Sequence, residues 1–252
     1  MRGTFFVHVA LVCLRASFLT SAKPIPGYPT RTLGNVTVVD TKLVREAQVF
    51  ARSHSSDVVW GHVLRSWLFG SLIISHNDTL RTTVDAEAHA LAVILHDLGW
   101  DQAANSTTVS TDRRFEVDGA IAARDFISSH NDGRGSWDDH RLQLVWDSIA
   151  LHTQESIYQY KQDTVAVTGF GILMDFEGPS NGVTQQEYNA VLAAVPKIEF
   201  EEAVNQTFVW LCTTKPQTTY GESKLAFFYL APLDVASKGN SAYNGPNVLM
   251  LK

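Results

Sequence analysis

The sequence predicts an all-α, single-domain helical bundle. Apolar residues recur at helical spacing along nearly the whole chain, and no Asn-Gly turn flanked by alternating strand patterns appears. The 252 residues are 45% hydrophobic and 18% charged, enough to close one large core without disulfide or metal staples. A metal ion, if the chain holds one, is there for chemistry.

The elements follow in order. Residues 1–22 read as a secretory signal: Arg2 gives the positive start, 4–14 an apolar run, and Thr20-Ser21-Ala22 a small-residue cleavage site. The run is too short for a membrane span, which needs about 20 apolar residues. Residues 23–40, bearing Pro24, Pro26, Gly27 and Gly34, read as a linker. In 56–74, Val59, Val63, Trp67 and Trp60, Leu64, Leu68 form one broad apolar helix face. Segment 84–98 is apolar almost all round, which predicts the central helix. Helical patterning recurs over 114–128, 138–153, 184–195 and 198–212, with polar loops at 101–112 and 131–137. The domain is therefore expected over 41–215, with 216–252 a tail packed on it or trailing it.

Charge and cysteine content narrow the function classes. The net charge is −6 and no run of Lys or Arg could track a phosphate backbone, so nucleic acid is not an expected partner. With only Cys13 and Cys212 there is neither a disulfide scaffold nor a thiolate zinc finger. Any metal ligands must be His and carboxylate. Four Asn-x-Thr sequons begin at Asn35, Asn77, Asn105 and Asn205, more than the one or two that ten Asn would give at roughly 15% Ser and Thr frequency. With the leader they favour the secretory pathway over the alternative, a cytoplasmic enzyme with an N-terminal extension.

Chemistry concentrates on a few polar residues in apolar surroundings. The central helix runs Ala92-Val93-Ile94-Leu95 straight into His96-Asp97. Two adjacent ionisable groups there are expensive to desolvate without a partner, and a metal ion is one such partner. His62 flanks the Trp60/Leu64/Leu68 stripe, where a satisfied core histidine is the plainer reading. Asp175 sits between Ile172-Leu173-Met174 and Phe176, with a helix-cap role near Gly178 as its alternative.

Taken in order, His62, His96-Asp97 and Asp175 resemble the H…HD…D signature of the HD-domain metal hydrolase superfamily. Leu95-His96-Asp97-Leu98-Gly99, Arg114-Phe115-Glu116-Val117-Asp118-Gly119-Ala120, Ile149-Ala150-Leu151-His152 and Gly171-Ile172-Leu173-Met174-Asp175 are similar to its cyanamide hydratase branch, over about residues 42–215. The resemblance implies a bundle of the HD-domain type. It also implies a divalent ion held by His62, His96, Asp97 and Asp175: Zn²⁺, with Fe²⁺ and Mn²⁺ as alternatives. The implied reaction is addition of metal-activated water to a small nitrile, cyanamide to urea in type.

Two further residues stand on helical spacing. Glu116 shares a face with Ala120, Ala123 and Ile127, which suits a proton shuttle or a partner orienting a ligand. Its alternative is a surface pair with Arg114 or Arg124. His152 continues the stripe of Val145 and Ile149 and is a candidate for contact with substrate, against a plain core role. Arg65 and Lys161 are the remaining candidates to face the pocket, but charge alone favours a solvated role. Competing functions are hydrolysis of a nucleotide or phosphomonoester, which needs cationic clamps, and a secreted binding protein stapled by its metal. The expected partner is a small-molecule substrate, with a homo-oligomer left open.

Overall fold

The computed structural model describes residues 27–130 and 137–218. The expected leader, residues 1–22, and the tail beyond 218 lie outside them. Within them the chain is an all-α bundle with one small β-hairpin at its start.

The hairpin corrects the linker expected over 23–40. Strands β1 (Thr30–Leu33) and β2 (Val36–Val39) pair antiparallel, Leu33 against Val36 and Thr30 against Val39. Gly34 and Asn35 join them with φ of +54° and +65°, the sign that a type I′ turn requires at both central positions. Gly-Asn serves as well as Asn-Gly, so the turn signal was present in reversed order. Val36, Val38 and Val39 are buried, and the hairpin packs onto the bundle where Gly34 meets Leu68 and Ala194.

Helix α1 (Lys42–Ser53), capped by the Thr41 hydroxyl, buries Val44, Ala47 and Ala51. Helix α2 (Asp57–His76), capped by Ser56, is long and apolar enough to cross a bilayer, yet most of it is buried as a core helix. The short α3 (Leu80–Thr83) leads to α4 (Ala86–Leu95), capped by Asp85 and buried at every position, as its all-round apolar pattern predicts. A 3₁₀ turn at Leu98–Trp100 follows where the central helix was expected to run on. Then come α5 (Phe115–His130), α6 (Asp139–Ala150), α7 (Glu155–Tyr158), α8 (Asp163–Glu177), α9 (Gln185–Ala194) with a Thr184/Glu187 capping box, and α10 (Phe200–Thr214). Helix α6 stops at Ala150, so His152 lies in the turn after it.

Helix α4 packs against α1, α2, α5, α6 and α8. The tightest crossing is α2 on α8. A Cβ on Gly171 would stand 2.9 Å from the backbone of Gly70 and from the Ser66 carbonyl oxygen, so only glycine lets the two backbones approach. Helix α10 closes one side with an aromatic cluster in which Phe200, Val204, Phe208 and Leu211 pack with Val59, Trp100 and Phe115. Its end is pinned by the buried Lys215, whose Nζ donates to Asp118 Oδ2 at 2.7 Å and to the Arg113 carbonyl.

Candidate metal centre

His62 projects from the second turn of α2, and His96-Asp97 stands at the end of α4. All three are buried, and their ligating atoms lie within 4.8 Å of one another. The neighbours of the two rings fix their tautomers. His96 Nδ1 lies 2.7 Å from the Val93 carbonyl oxygen, which only accepts, so Nδ1 carries the proton and Nε2 a lone pair. His62 Nδ1 lies 2.7 Å from Asp175 Oδ2, with the same consequence. The two bare Nε2 atoms then face each other at 3.2 Å. Asp97 Oδ2 is 3.2 Å from one and 3.7 Å from the other, and neither Asp97 oxygen has a hydrogen-bond partner among the described residues.

Three electron-rich groups converge with nothing between them to donate. Buried polar groups are normally satisfied, and a carboxylate left unpaired in a core is costly. A divalent cation satisfies all three at once, and imidazole nitrogen with carboxylate oxygen is a donor set suited to Zn²⁺, Fe²⁺ or Mn²⁺. The residues fit a metal ion. With no ion in place a proton is the competing occupant: burial alone would raise Asp97, but the His96 ring, by charge and hydrogen bond, and the His62 ring hold its pKa low, which they do only when protonated. Burial disfavours charge on His96, but Asp97 outweighs it and raises that ring. Burial wins on His62, whose pKa is lowered.

Asp175, expected as the fourth ligand, is placed elsewhere. Its carboxylate lies on the far side of the His62 ring, and both oxygens are engaged. Arg65 Nε donates to Oδ1 at 2.7 Å, while Arg65 Nη2, at 2.8 Å, and His62 Nδ1 donate to Oδ2. The physical reason is Arg65 itself. Three residues after His62, it brings a guanidinium to the same face of α2 and forms a two-pronged pair with Asp175. Arg65 was expected in solvent and is 1% exposed. Asp175, its pKa lowered by these partners against its own burial, is a carboxylate that holds a histidine in its binding tautomer.

Glu116 and His152 both reach the neighbourhood. Glu116 is buried, and its pair with Arg114, weighed above as a surface contact, is an interior one: Arg114 Nη2 donates at 2.6 Å and Thr153 Oγ1 at 2.7 Å, both to Oε1. Glu116 thus ties the start of α5 to the turn that carries His152. The His152 ring stands edge-on to His96 at 5.0 Å, and its Nδ1 donates to the Ile149 carbonyl oxygen at 2.6 Å, leaving Nε2 as an acceptor. Burial, with His96 adding to it, pushes its pKa down to about 4. Lys161 is half-buried and pairs with Asp147, close to the solvated role expected of it.

Aromatic rings wall the centre. Phe200 and Phe176 lie 5.0 and 5.1 Å from the His62 ring, Trp100 stacks on it at 6.5 Å, and Phe115 stands 5.6 Å from His152. Comparison with known protein families gives no matching model, and comparison with curated proteins gives no match.

Proposed function

We propose that this protein is a metal-dependent enzyme that adds water to a small, neutral, nitrile-like molecule, the chemistry implied by its resemblance to the cyanamide hydratase branch of HD-domain proteins. The observation that carries the reading is the pair of bare Nε2 atoms, 3.2 Å apart, beside the unpaired Asp97 carboxylate. His62, His96 and Asp97 hold the ion. When bound, it supplies a Lewis acid that makes water nucleophilic near neutral pH.

The chain's own residues do the rest. Asp175 and the Val93 carbonyl fix the two ligand rings through their Nδ1 protons. His152, neutral with an accepting Nε2, takes a proton from the attacking water and returns it to the substrate nitrogen. Glu116 and Thr153 hold the turn that presents it. The aromatic wall excludes bulk water and favours an uncharged substrate. A phosphate would need cations, but Arg65 is committed to Asp175 and Arg114 to Glu116, which ranks phosphohydrolysis second. The exposed positions of Asn35, Asn77 and Asn105 suit glycosylation on a secretory route.

The test is elemental analysis of the purified protein joined to a screen of cyanamide against nucleoside monophosphates. One divalent ion per chain with cyanamide hydration is expected. Turnover of a phosphate ester instead, or stoichiometric metal with no turnover of either, overturns the reading.

A further inference from the structure

Among the rings beside the metal centre stands a hydrogen-bond donor that the mechanism above leaves unused. Trp100 is 6% exposed, and its indole Nε1–H, fully buried, has no acceptor among the described residues. Its neighbours are rings: His62 at 6.5 Å, Phe115 at 5.5 Å and Phe208 at 5.9 Å. A buried tryptophan N–H ordinarily finds a partner, and leaving it without one costs stability.

The backbone holds this indole firmly. Trp100 ends the 3₁₀ turn that starts directly after Asp97, and its N–H donates to the Asp97 carbonyl oxygen at 2.9 Å. Gly99 is pressed so closely on the first turn of α5 that a Cβ there would meet the Phe115 carbonyl oxygen at 2.1 Å. Gly119 repeats the fit one turn on, where a Cβ would meet the His96 carbonyl oxygen at 2.6 Å. One rigid segment thus carries ligand, ligand and indole at 96, 97 and 100, clamped against α5.

We propose that the Trp100 indole N–H is the substrate anchor of this site. It donates to the one strong acceptor of a small neutral molecule, a nitrile nitrogen or the carbonyl oxygen of an amide or urea. The Asp97 oxygens, unpartnered among the described residues, and His152 Nε2 are acceptors and cannot serve a substrate's acceptor, which leaves that task to Trp100. A ligand that offers only donors leaves Trp100 unsatisfied. This inference rests on the functional reading above and adds the contact that orients the substrate.

The experiment is an NMR titration of the zinc-loaded full chain, ¹⁵N-labelled, with urea, cyanamide and acetonitrile as probes. The six tryptophans give indole signals, and the one missing from Trp100→Phe identifies Trp100. Expected is a saturable downfield shift of that indole proton with at least one probe. Trp100→Phe, with its zinc content unchanged, is then expected to bind that probe about tenfold more weakly, as loss of one neutral hydrogen bond predicts. A Trp100 signal that stays still at the highest level of all three probes overturns the anchor, as does unchanged affinity in Trp100→Phe. The two readings separate cleanly. A shift without turnover of any nitrile keeps the anchor and sinks hydration, whereas turnover with a still signal keeps hydration and sinks the anchor.

Discussion

His62 Nδ1 and Asp175 Oδ2 meet at 2.7 Å across 113 residues of sequence. That one bond decides which nitrogen of His62 faces the candidate metal centre, and it exists only because α2 and α8 cross at Gly70 and Gly171. Arg65 neutralises the carboxylate from the same helix that carries His62. The geometry of the centre is therefore a property of the α2–α8 crossing as much as of the ligands themselves.

Asp175→Asn is expected to weaken zinc binding by about 10- to 100-fold, the usual effect of losing an orienting partner. It should not abolish binding. Stability should fall by roughly 3 kcal/mol, because the Arg65 guanidinium is left buried without its counter-charge. Competition titration against a zinc-sensitive dye reads the first effect and urea unfolding the second. A folded Asp175→Asn protein with no zinc affinity would return Asp175 to the ligand set.

Asp97→Asn separates a ligand from an orienting group. In the wild type, chelation should lower the melting temperature, since an ion at about a thousand times its Kd contributes roughly 4 kcal/mol. In the variant the chelator should have no effect. Calorimetry with and without chelator checks both statements.

Gly171→Ala tests the crossing. Its Cβ would have to stand 2.9 Å from the Gly70 backbone, so α2 and α8 must separate, at a cost of about 1–3 kcal/mol for overpacking. Zinc affinity should drop with stability, although residue 171 touches no ligand. Stability loss with unchanged zinc affinity would show that the centre tolerates the shift.

His89 gives the fold an acid limb of its own. Its ring is wedged against Gly70, Nδ1 donates to Thr168 Oγ1 at 3.0 Å, Nε2 has no partner among the described residues, and burial pushes its pKa down to about 4. The unfolded chain takes up a proton near pH 6.5 while the folded one does not until about pH 4. Stability therefore rises with pH across that window and is lost on acidification, by an amount of order 3 kcal/mol at its lower end. Asp101 and Glu187, with pKa values lowered, lose their contributions only below the ordinary carboxylate range. Urea midpoints from pH 7 to pH 4 should fall less steeply in His89→Gln than in the wild type.

Much of this was legible in the sequence because polar residues broke apolar helical stripes at few places. His62 and His96-Asp97 stood out by that rule, and the structure brings them together. The hairpin was missed because Gly34-Asn35 carries the turn signal in the less familiar order. Helix α8 escaped notice because Val165, Val167 and two glycines, Gly169 and Gly171, blur its period, yet those glycines are what admit Tyr158 and α2 to its surface. The role of Asp175 was hidden, since residue type and order cannot say which ring nitrogen a carboxylate will face. Arg65 was misjudged on charge alone, although its position three residues after His62 was a usable signal. Trp100 offered no signal at all, because a missing acceptor is visible only once the neighbours are in place.

The last expectation separates the two candidates for proton transfer. Both Glu116 oxygens are already occupied, Oε1 by Arg114 Nη2 and Thr153 and Oε2 by Arg114 Nε at 3.2 Å, whereas His152 Nε2 is left as an acceptor beside His96. Glu116→Gln keeps the shape and one accepting oxygen for Thr153, so zinc content should persist and kcat should fall by no more than about tenfold. His152→Gln removes the titratable ring and should lower kcat by roughly 10² to 10⁴, the contribution of a positioned acid–base group, again with zinc retained. Steady-state kinetics with metal analysis on the same preparations decide between them. If Glu116→Gln suffers the larger loss while His152→Gln stays active, Glu116 moves the proton and His152 only packs against His96. Equal large losses would mean that Glu116 acts through the 152–153 turn, which Glu116→Asp, shorter by one methylene and still charged, would then fail to rescue.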